Sequence, residues 1–502
     1  MSAAILPVIS RIRPIGPIGP ICAAGLALLS FTGLLPTPSP AIEIPGLPAP
    51  GEPHRVVVAT PADKTLPNGL RVIVLEREGE PLLSAELLVK GGVETDPPQL
   101  SGLTNFTASL LKRGTKTRNA PKIAEDIEAL GAKVEQEATW DKTSLVLTTL
   151  SANAEPSLAL LSELVREPAF AKEEIERARL ETLDDLRLAL EEPGQVAKLA
   201  VIRATLSADA HPPAGTLPSV SRFTRKDIVA HHARLFRPDR CILVLAGKIT
   251  AAETFPLVEK LFGSWAAPAP DKTPAPKPAS ETKPRAVLID MPNAGQAAVL
   301  LATPSITRQA DDWFAGKVAT AVIGGGYSSR LNQEIRVKRG LSYGASSMLS
   351  TRRANGIFLS SAQTKNESAV EVVKLMQTEF ARIATEPVPL DYLTTRKSLL
   401  TGALARDLET NAHTVQRLGE LALYDLPLDS LNHYFDDVDR VQPADLQTFA
   451  KAHLAVDSFT IVIAGQAKIV EKPLRAAFPK LEVIPLSKLD LDSPTLRSGG
   501  RK

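Results

Sequence analysis

The sequence predicts an α+β fold built as two homologous domains, and three observations carry that expectation. The stretch APAPDKTPAPKPASETKP, Ala267–Pro284, is a linker, because proline, alanine and lysine at that density favour extended chain and cannot bury a core. The segments on either side of it end alike: RCILVLAGKI reaches Gly247 and FTIVIAGQAKI reaches Gly465, an offset of 218 residues. Upstream, Glu167-Pro168 follows the helical stretch SLALLSELVR and Glu386-Pro387 follows AVEVVKLMQTEFARIAT, an offset of 219. Two landmarks at nearly one offset mark a duplication of roughly 220 residues, too long for a solenoid repeat and the right size for a domain. The expected boundaries are residues 42–266 and 285–488, with a disordered tail over 489–502.

Within the first copy, LRVIVLE and LLSAELLVKGG run apolar or alternate, as strands do. A helix follows from Ser101, a plausible N-cap, to Lys112. KIAEDIEALG is a second helix closed by Gly131. SLVLTTL is a strand, Ser157–Arg166 a helix, and Glu173–Glu191 a long helix stopped by Pro193 and Gly194. Cys241–Ala246 is the last strand, and Ala252–Phe262 a helix after it. Hairpin-like strand pairs interspersed with helices predict a mostly antiparallel sheet packed with helices.

Composition narrows the partners. The 502-residue chain is 44% hydrophobic and 23% charged, with a formal net charge of +2. Arg11 and Arg13 are the only charges in the first forty residues, so the rest of the chain is neutral. Nucleic acid is therefore not the expected partner, since it selects a clear basic excess. Residues 1–41 read as an export signal: Arg11 and Arg13 precede an apolar run from Ile21 to Leu35, and Ser39-Pro40-Ala41 follows. The alternative for this segment is an uncleaved N-terminal anchor. Either way the expected location is outside the cytoplasm, in the periplasm. With that segment removed, Cys241 is the one cysteine left, and its apolar surroundings mark a buried hydrophobe.

From Gly102 the chain reads GLTNFTASLLKRGT. This resembles the M16 family of zinc peptidases (insulinase, pitrilysin and the mitochondrial processing peptidase), whose members are built from duplicated α+β domains. Their first domain carries a helix of the form G-L-x-H-F-x-E-H-x-x-x-x-G-T. The resemblance implies two histidines and a later glutamate on zinc, with the first glutamate activating water. Residues four apart share a helix face, so both imidazoles reach one metal. Here Gly102, Leu103, Phe106, Gly114 and Thr115 keep the frame, while Asn105 and Ser109 stand at the histidine positions and Ala108 at the base. Asn and Ser are poor zinc ligands and Ala cannot accept a proton. Asp184 and Asp185 fall near the third ligand, and a solvated helix face is their simpler reading. None of the seven histidines forms an H-x-x-E-H pattern, and the adjacent His231 and His232 point about 100° apart on a helix. No G-x-S-x-G elbow is present either.

GGGYSSRLNQEIRVKRGLSYGASS, Gly324–Ser347, is no phosphate loop, because the glycines lead into Tyr-Ser rather than Lys-Ser or Lys-Thr. Its charges Arg330, Glu334, Arg336, Lys338 and Arg339 could form a solvated helix face. The segment is similar, however, to one in the second domain of M16 proteins, G-x-x-S-R-L-x-x-x-I-R-x-x-x-G-L-x-Y. Ser329, Arg330, Leu331, Ile335, Arg336, Gly340, Leu341 and Tyr343 match it after the glycine run. The resemblance implies that Arg336 and Tyr343 are the R/Y pair that binds substrate backbone opposite the zinc. Gly340 is expected to end a helix so that Tyr343 returns to Arg336, and GLSYGASSMLS to form a strand edge for an extended peptide. By resemblance, then, this is the non-catalytic, substrate-binding subunit of a heterodimeric M16 metallopeptidase, with zinc in an H-x-x-E-H partner and no cofactor of its own. The alternative is a scaffold subunit of the same fold that handles no peptide.

Overall fold

The structure is a computed structural model, and it describes residues 55–206, 212–266 and 283–498. The N-terminal segment and all but the last two residues of the linker lie outside them. The first half holds strands β1 (Ala62–Thr65), β2 (Arg71–Glu76), β3 (Leu82–Val89), β4 (Lys133–Ala138), β5 (Thr143–Leu150) and β6 (Cys241–Gly247). Its helices are α1 (Leu103–Leu110), α2 (Ala120–Ala129), α3 (Ala154–Arg166), α4 (Lys172–Glu191), α5 (Pro193–Thr205), α6 (Leu217–Arg222), α7 (Arg225–Leu235) and α8 (Ala251–Phe262). The second half holds β7 (Ala286–Asp290), β8 (Ala297–Ser305), β9 (Ala345–Thr351), β10 (Gly356–Thr364), β11 (Thr460–Gly465) and β12 (Glu482–Pro485). Its helices are α9 (Trp313–Gly324), α10 (Ala369–Thr385), α11 (Leu390–Asp407), α12 (Asn411–Leu423), α13 (Ser430–Arg440), α14 (Pro443–His453) and α15 (Ala467–Ala477).

Each half forms a six-stranded sheet, ordered β1-β2-β6-β3-β5-β4 and β12-β7-β11-β8-β10-β9. The pairings β2–β6, β7–β11 and β12–β7 are parallel and the remainder antiparallel. One face of each sheet packs against helices of its own half around a large apolar core. The other face is covered from the opposite half. Helix α5 lays Val196, Ala197, Ala200, Val201 and Ala204 against Val287, Ala298, Leu300 and Val462 of the second sheet. Helix α12 lays Val415, Leu418 and Ala422 against Ile73, Leu88, Ile242 and Val244 of the first. The exchange is reciprocal, because Pro193 and Thr205 bound α5 as Asn411 and Leu423 bound α12, at the duplication offset of 218. A central strand covered on both faces must be apolar at every position, and β6, CILVLAG, is buried along its whole length.

Three sequence expectations are corrected here. Ser101 does not cap α1. Gly102, at φ +85°, precedes the helix, and the Asp96 carboxylate accepts the N–H groups of Gly102 (2.7 Å) and Thr104 (2.8 Å). A carboxylate reaching back from an earlier turn meets the orphan amides that the serine was expected to satisfy. Pro193 and Gly194 do more than stop α4, because they form the first turn of α5, where a missing N–H costs nothing.

The third correction is the tail. Its polar composition suggested disorder, yet among residues 489–498 Leu491 and Leu496 are buried in the α5 core. The Asp492 carboxylate accepts hydroxyls from Ser101 (3.0 Å) and Thr216 (2.7 Å), and its carbonyl accepts Arg203 (2.6 Å). The tail thus fastens the second half to the loop before α1. Asp492→Ala is expected to lower stability by about 1–3 kcal/mol through these lost charge-assisted bonds. Urea unfolding checks this, and an unchanged midpoint would refute it.

The turns β4–β5 and β9–β10 also meet. Asp141 accepts the Arg353 N–H (3.0 Å) and the Tyr424 hydroxyl (3.2 Å), and Arg353 lies 3.8 Å from the buried Glu94. Burial pushes the Glu94 carboxyl up to about 7, opposed by Arg353. A folded value above the unfolded one means that the folded state holds the proton more tightly. Stability is therefore greatest below about pH 4.5 as far as this group decides, and falls as pH rises through 7, by up to about 3 kcal/mol. Glu94→Gln should flatten that part of a melting-temperature profile between pH 5 and pH 8.

Candidate functional site

The former metal helix is short and apolar. Ala108 is buried, while Asn105 and Ser109, one turn apart, remain partly exposed on one face. The Ser109 hydroxyl is spent on the Phe106 carbonyl of its own helix (2.8 Å). Asp184 and Asp185 are exposed, and Asp184 pairs with Arg187, so the solvated-face reading describes them. Among the described residues no group of three or more His, Cys, Asp or Glu side chains is placed to hold a metal ion. The residues at the family's zinc positions therefore do not fit the metal, and no catalytic step is assigned to them.

The histidine pair is packing. His231 is buried against the Thr104 hydroxyl (2.8 Å) and Arg234 (3.1 Å), and burial, with Arg234 beside it, lowers its pKa to about 3. His232 bonds the Val165 carbonyl (2.8 Å) and stacks on Phe236 at 4.6 Å, and burial lowers its pKa to about 4. Both are neutral at pH 7. Cys241 is buried, as its apolar run implied.

Helix α9 delivers the chain to Gly324-Gly325-Gly326. A Cβ on Gly324 would sit 2.2 Å from the Ser347 amide nitrogen, so the turn lies directly on β9. Gly326 has φ +93°, where a side chain would be strained. Tyr392 and Arg396 of α11 pin the turn through Ser328, at 3.0 Å to its carbonyl and 2.6 Å to its hydroxyl. Asn332 then ties the turn to the strand: its amide donates to the Gly326 carbonyl (3.0 Å) and the Ala345 carbonyl (2.6 Å) and accepts the Ala345 N–H (3.1 Å).

Asn332–Val337 is a π-helical turn, with the Lys338 N–H bonded to the Gln333 carbonyl five residues back. Such wide turns are uncommon and concentrate at functional positions. Gly340, at φ +62°, closes it, and its N–H bonds the Arg336 carbonyl. The chain returns so that the Arg336 guanidinium lies 4.5 Å from the Tyr343 ring. It also lies 4.9 Å from the Tyr327 ring. Tyr343 is 89% exposed and Tyr327 62%, unusual for large aromatic side chains. Lys338 and Arg339 are taken by Glu334 at 2.5 and 2.6 Å. Arg336 has no ion pair or side-chain hydrogen bond to any described residue, and its guanidinium has two aromatic rings within 5 Å.

Strand β9 is the edge of its sheet, pairing only with β10. An open groove of about 880 Å³ lies across β8, β10 and β9, lined by Leu300, Leu359, Met348, Tyr343 and the start of α5. Arg336 and Tyr343 therefore stand together where the sequence frame put them. Tyr327 was missed. Its one signal was position, since it is one of five tyrosines in the chain and directly follows the glycine run.

A duplicated α+β chain with a degenerate metal helix in its first half and an arginine–tyrosine pair in its second defines a two-domain, peptidase-like protein. Residues 71–212 match the model of the insulinase (peptidase family M16) domain, and residues 222–400 that of the peptidase M16 inactive domain. The chain belongs to the M16 peptidase family. It is similar to an uncharacterized zinc protease of Mycobacterium leprae (strain TN), 26% identical over 77% of this chain and 87% of that protein. It is also similar to one of Streptomyces coelicolor, 24% identical over 78% of this chain and 87% of the other. A crystal structure of a peptidase M16 inactive domain from Pseudomonas fluorescens superposes with a TM-score of 0.77 at 26% identity, over 81% of this chain and 98% of that one. A protease from Helicobacter pylori shares the fold, with a TM-score of 0.76 at 19% identity, over 81% and 100% of the two chains.

Proposed function

We propose that this chain is the substrate-binding, non-catalytic subunit of a heterodimeric M16 zinc peptidase. The observation that carries the reading is Arg336, an unpaired guanidinium beside the exposed Tyr343 at the edge of β9, in a chain whose metal positions hold Asn105, Ala108 and Ser109. An extended peptide adds to the free edge of β9 by main-chain hydrogen bonds. The Arg336 N–H edge and the Tyr343 hydroxyl then hold a substrate carbonyl, and any negative charge that develops on its oxygen. Zinc and the water it activates belong to the partner subunit, which carries H-x-x-E-H. On this reading the N-terminal segment is an export signal or anchor, and the assembly works in the periplasm.

The test is a mixing experiment with an H-x-x-E-H-containing M16 chain from the same organism. Cleavage of a fluorogenic peptide library is measured with each chain alone and with both. Cleavage only by the mixture supports the assignment. Cleavage by the partner alone, unchanged on mixing, overturns it in favour of a scaffold.

A further inference from the structure

We propose that a second site, a pocket enclosed by α9, α11, α12 and α13, binds a small amphipathic carboxylate through Lys317. The pocket measures about 240 Å³ and is walled by Trp313, Phe314, Leu404, Leu421, Leu431 and Tyr434. At about 30 Å³ per water-sized group it admits a ligand of roughly eight to ten heavy atoms. It lies at the start of α9, roughly 16 Å along that helix from the glycine turn that carries the arginine–tyrosine pair.

The charges define the ligand. Glu420 is shared by Arg417 (3.2 Å) and Arg308 (3.5 Å). Arg417 also bonds Asp407 (3.1 Å), and Asp437 is taken by Arg440 (2.6 Å). These pairings leave Lys317, on the pocket wall, with no ion pair or hydrogen bond to any described residue; its ammonium has only the Trp313 ring at 5.6 Å. The Arg308 Nε faces Glu420 at 3.5 Å, and Tyr434 lines the same pocket. Burial holds Lys317 below the usual lysine range, opposed by Glu420, a carboxylate that Arg417 and Arg308 already share.

One lysine with no ion pair of its own, in a pocket whose single nearby carboxylate is shared by two arginines, matches a single negative head on an apolar body. A carboxylate accepts from Lys317, and an aliphatic or aryl chain fills the space between Trp313, Leu404 and Leu431. A phosphate dianion would bring a second charge with no cation left to meet it and a hydration shell that these walls cannot replace. An amine would meet Lys317 with like charge.

The test titrates the purified full chain by calorimetry with octanoate and phenylacetate, and with octanamide and octylamine as matched neutral and cationic bodies. Saturable binding of the acids with a raised melting temperature is expected, with the amide and the amine silent. Lys317→Met should weaken acid binding by tenfold or more, by about the worth of a charged hydrogen bond, while Arg336→Ala leaves it unchanged. Failure of both acids to bind, or an amide that binds as well as its acid, overturns the proposal without any variant. Acid binding by Lys317→Met and Lys317→Gln as tight as by the unsubstituted chain overturns the role of the lysine. The outcome does not depend on whether the chain supports peptide cleavage.

Discussion

Arg336→Ala is expected to lower kcat/KM of the two-chain peptidase by roughly 10²- to 10³-fold, the usual cost of removing one donor from developing negative charge. Among the described residues Arg336 meets two tyrosine rings and no carboxylate, since its neighbours Lys338 and Arg339 share Glu334. Folding should therefore survive the change. Arg336→Lys should restore little, because an ammonium has neither the planar faces for Tyr327 and Tyr343 nor the forked edge for a carbonyl. Tyr343→Phe should reduce the rate while keeping the stacked arginine. Tyr327→Leu removes one of the two rings and should cost roughly threefold to tenfold, the worth of a partly exposed cation–π contact. Tyr327→Phe should cost nothing. Wild-type rates from the Arg336→Ala chain at saturating partner would remove the pair from the chemistry.

The second large effect concerns the exchanged helices. Separated halves, residues 42–266 and 285–502, are expected to fail to fold alone and to regain native structure when co-expressed. Each half alone leaves one sheet face bare: Ile73, Leu88, Ile242 and Val244 in the first, Val287, Leu300 and Val462 in the second. Exposed apolar faces of that extent aggregate rather than stand in water. Within the intact chain, Leu418→Ala should cost about 2–5 kcal/mol. Gly419→Val should cost more, since even a Cβ there would lie 2.4 Å from the buried Glu86 carboxylate. Both variants should unfold in a single transition, because each half completes the other. A half that folds alone, or two separate melting steps, would contradict this.

Several features were readable before any coordinates. The duplication followed from two offsets, because landmarks such as the strand-ending glycines recur at fixed spacing whatever the side chains between them do. The strands of β3, β5 and β6 were legible in their apolar runs, and α2 and α4 in their periodicity. Errors fell where a distant group replaces a local one. Ser101 has the composition of a cap, yet Asp96 takes the amides and Ser101 serves Asp492. The tail has the composition of disorder, yet Leu491 and Leu496 enter a core that α5 and the second sheet create.

By itself the sequence determined what this chain lacks and what it keeps. Asn105, Ala108 and Ser109 are poor zinc ligands through the identity of their atoms, and Arg336 and Tyr343 are seven residues apart in any conformation. Only the tertiary structure decided how those groups are presented. The crossing of α5 and α12 between halves leaves no local trace, because an apolar helix face reads the same whichever sheet it meets. The π-helical turn that brings Arg336 beside Tyr327 and Tyr343 depends on Asn332, Gly340 and the edge of β9 together. The unpaired state of Arg336 and Lys317 is likewise a property of the fold, since a charge is free or spent according to which carboxylates packing brings within reach.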